Sequence, residues 1–311
     1  MFQLYKNRNF SEIINDTFTF FRVMGKNYFS NYIKITSGFL IVMLLLMYLA
    51  GNIFFENIFS GMQTPEQQQM LSKYFNDNSG YFIAAGILCG LLLLIITGIT
   101  YAYPVVYMRI MENNVTPQAS QIIKGLKWSM WKVIKFILFS FITFIPIGVL
   151  LCIISVLLIT IIIGIPVAII VFAFLSCWIF LTFYDYLNND YSFFTALSKG
   201  YNLVFINFWG HTGATAIFYI IMYLMQGAVT LLFYLITGTL TMLDVQPDAH
   251  TDAVNTLGIL ALISFMISIA LSYLLSNLLM VSQGIIYYSG RESNENNTLE
   301  ANIDLIGSDI E

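Results

Sequence analysis

Apolar positions along this chain fall into long unbroken runs, separated by segments in which hydrophobic side chains recur at helical spacing. The longest run, Phe136 to Tyr184, holds no Lys, Arg, Asp, Glu or His; Lys135 precedes it and Asp185 follows it. A single helix over that run, at about 1.5 Å per residue, would be roughly 70 Å long, more than twice the ~30 Å hydrocarbon core of a bilayer. The run therefore predicts two helices that fold back on each other. Gly164-Ile165-Pro166 is the natural break, because proline donates no helix hydrogen bond and glycine tolerates a turn.

The same reading places span one at Tyr32–Phe55, span two at Tyr81–Tyr107, span three at Phe136–Ile163, span four at Pro166–Tyr184, span five at Thr212–Leu240 and span six at Ala253–Tyr288. Pro104 and Pro146 predict kinks in spans two and three. Three amphipathic segments precede spans one, three and five: Phe10 to Asn31, Pro117 to Lys135 and Ser192 to Trp209. In the first, Asn9 is a candidate cap. Its aromatic stripe (Phe10, Ile13, Ile14, Phe18, Phe21, Met24) fits either a helix in the headgroup plane or an extension of span one. Ser192 is a candidate cap for the third. Thr64-Pro65-Glu66-Gln67 marks a short exposed helix after span one. The whole reads as an all-α polytopic bundle of six transmembrane helices with amphipathic interfacial helices, in a loose repeat of three hairpins. Residues 1–290 form the membrane domain, and 291–311, with six acids against one arginine, a mobile acidic tail.

Composition strengthens the membrane reading. Of 311 residues, 58% are hydrophobic and 10% charged, against roughly 25% charged in soluble domains, and the mean hydropathy is +0.78. A closed barrel would need alternating strands of about ten residues, which these runs are not. Charge placement adds an orientation. With the N-terminus in the cytoplasm and six alternating spans, Lys73 alone of the 13 Lys and Arg falls outside, a strong positive-inside bias with both termini cytoplasmic.

The search for chemistry returns little. No ionisable acid, base or histidine lies well inside a span so drawn, which argues against ion-coupled transport. Gln226, Asn277 and Gln283 are intramembrane polar side chains, suited to interhelical hydrogen bonds or to lining a small cavity. Cys89, Cys152 and Cys177 sit in apolar runs without metal or redox spacing. His250 in the acidic loop Asp244–Asp252 offers at most a cation site, and His211 reads as interfacial. Gly86 and Gly90 form a GxxxG pattern, for packing within the chain or for a dimer face. No hydrolase elbow, phosphate loop, zinc motif or dinucleotide fingerprint occurs, so the sequence predicts neither enzyme activity nor a cofactor or bound metal. What remains is an interface: Phe18, Phe21, Trp128, Trp131 and Trp209 as aromatic anchors, with Lys124 and Lys127 facing anionic headgroups.

Three stretches carry a resemblance: Phe10-Ser11-Glu12-Ile13-Ile14-Asn15-Asp16-Thr17-Phe18, the segment from Ala196-Leu197 to Asn207-Phe208-Trp209, and Ile286-Tyr287-Tyr288 with Arg291. With them the chain resembles the membrane domain that some bacterial glycerophosphodiester phosphodiesterases carry ahead of their catalytic domain, and related multi-span bacterial membrane proteins. The catalytic domain itself has no counterpart here. The resemblance implies a fold and a bacterial cytoplasmic membrane rather than an activity. The function expected is non-catalytic: organising or binding lipid or a membrane-protein partner, and not nucleic acid. The alternative is a permeation pathway for a lipid or apolar solute.

Overall fold

A computed structural model of the chain describes residues 2–61, 69, 73, 76–113, 115–159, 164–243 and 250–295. Among them are seven helices and no strand: α1 (Phe10–Gly61), α2 (Ser79–Glu112), α3 (Ala119–Ile159), α4 (Gly164–Asn188), α5 (Phe193–Ile206), α6 (Phe208–Leu243) and α7 (His250–Glu295). All but α5 are long and apolar enough to cross a membrane. The chain is thus an all-α, multi-pass membrane protein. Most of the helix after span one and residues 244–249 of the acidic loop lie outside the described residues.

Local chemistry explains the helix starts. Asn9 and Glu12 form a reciprocal capping box: the Glu12 amide donates to Asn9 Oδ1 at 3.0 Å and the Asn9 amide to Glu12 Oε2 at 2.9 Å. Ser192 caps α5, its Oγ accepting from the Thr195 amide at 3.2 Å. α3 opens at Ala119, with Gln121 Oε1 accepting from the Gln118 amide. Asn207 ends α5 and begins α6: its φ of −145° and ψ of 69° break the helix, and its Oδ1 then accepts from the Gly210 amide at 3.1 Å.

Several expected boundaries differ. The amphipathic segments before spans one and three are not separate helices; α1 and α3 run through them into the spans without interruption. No proline and one glycine, Gly25, lie between Phe10 and Asn31, and its single propensity cost is too small to stop a helix packed on both sides of it. Pro104 and Pro146, where kinks are expected, lie inside α2 and α3. Beyond Gly290, α7 carries on to Glu295, held by Arg291 against Tyr5 and Glu112.

The Cα framework divides into two compact units. The first comprises Met1–Ile35, Gly98–Ile221 and Ser276–Glu311. Its core is rich in tyrosine: Tyr28, Tyr32, Tyr103, Tyr107, Tyr184, Tyr287 and Tyr288 are all fully buried. Tyr28 stands edge-on to Tyr103 and Tyr107, both at 4.9 Å between centroids. Within this unit α4 packs against α3 and α5. Gly200 makes the α5 contact possible, since a Cβ there would stand 2.7 Å from the Thr182 backbone nitrogen and 2.9 Å from its Cα. By contrast α3 turns a wide apolar face outward, including Leu138, Ile142, Leu150 and Leu157. Exposure of that extent is what a helix surrounded by lipid presents.

The second unit comprises Thr36–Thr97 and Met222–Leu275. Among its described residues Met43, Ile96 and Leu262 are buried, and Thr97 Oγ1 lies 3.1 Å from the Tyr273 hydroxyl. Leu45, Ile83, Leu91, Leu231 and Tyr234 face outward. A Cβ at Gly86 or Gly90 would meet nothing within 4 Å among the described residues.

Two glycines test the packing. Gly200→Ala must push backbone apart and should cost about 1–3 kcal/mol. Gly148→Ala, in open space on α3, should be neutral or gain up to about 1 kcal/mol. Thermal unfolding in detergent should therefore show a lowered midpoint for the first only; equal midpoints would refute the α4–α5 contact.

Candidate functional site

The residues singled out as interface anchors sit on three helices of the first unit. On α3, residues 124, 127, 128, 131 and 135 recur at intervals of three and four, which brings them to one side of the helix. The surface supports this. Lys124, Lys127 and Lys135 are exposed, and Trp128 and Trp131 are 61% and 64% exposed. The two indoles stand among cations: Lys132 Nζ lies 4.9 Å from the Trp128 ring centre, the Arg109 guanidinium 5.5 Å from it, and Lys135 Nζ 5.4 Å from that of Trp131. Each such contact contributes about 0.5–1 kcal/mol at an exposed site. Together they fix a ladder of alternating cations and aromatic faces.

The opposite side of α3 is anchored inward. Ile122, Leu126, Ser129 and Val133 are buried, so the ladder is held by a helix that cannot rotate. Arg109 Nη1 donates to the Leu187 carbonyl at 3.2 Å. Lys132 Nζ donates to the Asn189 carbonyl at 3.1 Å and to Asp190 Oδ1 at 2.8 Å. That ammonium holds the exposed Asp190 carboxyl below its ordinary range.

Phe18, Phe21 and Trp209 occupy other helices and make no ring contact with Trp128 or Trp131 among the described residues. Phe18 is 44% exposed and touches Phe218, with centroids 6.0 Å apart. Phe21 is half-buried, stacked on Phe29 and edge-on to Phe20 and Tyr28. The α1 stripe thus splits into two. Ile13, Thr17, Phe20 and Tyr28 enter the core, while Phe10 and Phe18 remain on the surface. Trp209 is 71% exposed beside Phe208.

The three intramembrane polar residues part company. Asn277 is buried and accepts from the Tyr28 hydroxyl at 2.8 Å. Gln283 is buried too; its Nε2 donates to Thr215 Oγ1 at 2.8 Å, while its Oε1 has no hydrogen-bond partner among the described residues. Gln226 is half-buried in the second unit and is engaged through its backbone carbonyl by the Thr230 hydroxyl.

Other polar residues are placed where the sequence pattern did not put them. His211 is buried, with Nδ1 3.0 Å from the Leu203 carbonyl. Arg8 is 2% exposed and gathers the N-terminal residues: Nε donates to Asp16 Oδ2 at 2.8 Å, Nη1 to the carbonyls of Leu4 and Lys6, and Nη2 to that of Gln3. Burial lowers its affinity for a proton and Asp16 restores part of it. The Tyr5 hydroxyl donates to Glu112 Oε1 at 2.8 Å and accepts from Arg291 Nη1 at 3.1 Å. Burial first and the Glu112 charge next push that phenol up. Asp185, Asn189, Lys199 and Arg291 line one pocket, to which they come from the C-terminal turns of α4 and α7, the middle of α5 and a loop. A charge closing an apolar run, as Asp185 does, was the one hint of it in the sequence. Among the described residues no three metal-ligating side chains cluster.

The Tyr28–Asn277 bond lends itself to a double-mutant cycle. Asn277→Leu strands a buried hydroxyl and should cost about 1–3 kcal/mol, whereas Tyr28→Phe with Asn277→Leu should cost less than the two singles summed, by roughly 0.6–1.7 kcal/mol. Strict additivity in unfolding midpoints would remove this bond from the description.

Comparison of the chain with protein-family models, with curated proteins and with solved structures finds no match.

Proposed function

We propose that this multi-pass protein binds and orders lipid at one membrane face and carries out no chemistry of its own. The observation that carries the reading is the cation–aromatic ladder of α3. Exposed indoles favour the headgroup level, where an apolar body and a polar N–H are both accommodated, and lysines beside them favour anionic lipid. Phe18 and Trp209 extend the aromatic content to α1 and α6. Twelve of the 13 cations gather on one face if the six spans alternate from a cytoplasmic N-terminus. The face so marked is the cytoplasmic leaflet of a bacterial membrane, and both termini lie on that side. A membrane-protein partner seated on the same ladder is the other form this function takes.

Bromine-labelled lipid reads the ladder directly, because it quenches tryptophan fluorescence only on close approach. Phosphatidylglycerol brominated near the headgroup should quench more than the corresponding phosphatidylcholine. Each lysine contributes about 1 kcal/mol near an anionic surface, so Lys124→Glu with Lys127→Glu should reduce that preference about tenfold or more. Equal quenching by the two lipids in the unaltered protein would overturn the reading.

A further inference from the structure

In the first unit Asp185, Asn189, Tyr191, Lys199, Asn202 and Arg291 line a pocket of about 200 Å³. That volume is below the roughly 300–1,000 Å³ of pockets that enclose drug-sized molecules and suits a small polar group. The charges in it are of both signs and are held apart. Asp185 is 5% exposed; its Oδ1 accepts from Asn189 Nδ2 at 2.9 Å and from the Tyr287 hydroxyl at 3.4 Å, and its Oδ2 has no hydrogen-bond partner among the described residues. Lys199 is exposed, and its Nζ lies 3.6 Å from the centre of the Tyr191 ring. No ion pair joins Lys199 to Asp185, although both line the same pocket.

Opposite charges sharing a small pocket ordinarily close on each other, since a buried carboxylate oxygen without a partner costs free energy. Here each is tied elsewhere. Asn189 and Tyr287 fix the carboxylate, the tyrosine face holds the ammonium, and Arg291 is held by Tyr5 and Glu112. The neighbouring Asp190 is already paired with Lys132. What the pocket offers is an acceptor on one side and cationic donors on the other, with the amides of Asn189 and Asn202 on its wall. A ligand with its own separated charges completes both sides at once.

We propose that this pocket binds a phosphoethanolamine group. Its ammonium is taken by Asp185, and its phosphate, with several acceptor oxygens, by Lys199 and Arg291. The group has two sources, the headgroup of phosphatidylethanolamine and a free phosphoethanolamine ester in solution. The proposal deepens the lipid-binding reading above if the source is lipid, and stands without it if the source is soluble.

The test uses the full chain in detergent. Soluble O-phosphoethanolamine is titrated by calorimetry, with glycerol 3-phosphate as the probe lacking the ammonium. In parallel, native mass spectrometry compares retention of phosphatidylethanolamine and phosphatidylglycerol with identical acyl chains. Saturable binding of the ethanolamine member of either pair, at least about fivefold over its glycerol counterpart, is expected. Lys199→Ala should weaken it about tenfold, and Asp185→Asn should abolish the discrimination between the two headgroups. Asn202→Trp, which fills the pocket from an exposed position, should also block binding, and it keeps the proposal testable if Asp185→Asn fails to fold. Preference for the soluble probe alone assigns a solution ligand, and for the lipid alone a headgroup; either supports the site. Ethanolamine and glycerol probes retained equally, or retention unchanged by Lys199→Ala and Asn202→Trp, overturns it. Lys199→Ala leaves the α3 ladder intact, so the bromolipid preference should persist, and failure of one proposal is distinguishable from failure of the other.

Discussion

Lipid offers a polar group no hydrogen-bond partner, and that single constraint accounts for most of what this chain does with its polar residues. Six helices satisfy the backbone internally. Many of the buried side chains then bond to one another or to the backbone. Thr17 donates to the Ile13 carbonyl, Tyr103 to that of Tyr28, Tyr184 to that of Met280, and Tyr28 to Asn277. Tyrosine suits such a core because it supplies a large apolar ring for packing and a hydroxyl that reaches one acceptor. The buried tyrosines of the first unit come from α1, α2, α4 and α7, and the hydroxyls of Tyr28, Tyr103 and Tyr184 fasten helices that are far apart in sequence.

The cations answer the same constraint in a different way. Arg8 is enclosed by backbone carbonyls and Asp16, Arg291 by Tyr5 and Glu112, and Lys132 by the end of α4 and Asp190. Two exposed lysines stand over aromatic rings, Lys135 over Trp131 and Lys199 over Tyr191. Rings and charges so arranged give the protein a surface that is neither fully apolar nor fully wet, which is the chemistry of a headgroup layer.

Span number and helical class were legible in the sequence because both depend on length and hydropathy, which need no tertiary information. The caps at Asn9 and Ser192 were legible for the same reason, being set by residues three apart. Continuity of α1 was not: an amphipathic stripe beside a span reads alike whether it lies on a membrane or packs into a core. Only the partners decide, and those of Phe20 and Tyr28 include Tyr107, some 80 residues away. The burial of His211 was not legible either, because the start of α6 is set at Asn207, whose backbone turn leaves no hydropathy signal. The pocket of Asp185, Lys199 and Arg291 was hidden more deeply, since three ordinary surface-type charges become a group only when the ends of α4 and α7 meet the middle of α5.

The most direct test of a molecule oriented by its cations concerns the ladder itself. Lys127→Cys would be made in a chain whose native cysteines, Cys89, Cys152 and Cys177, are replaced by serine, and intact bacterial cells would be treated with a membrane-impermeant thiol reagent. With the basic face on the cytoplasmic leaflet, the introduced thiol stays unlabelled until the membrane is permeabilised and then reacts readily. Full labelling in intact cells would place those lysines on the outer surface and contradict the orientation on which the lipid interface rests.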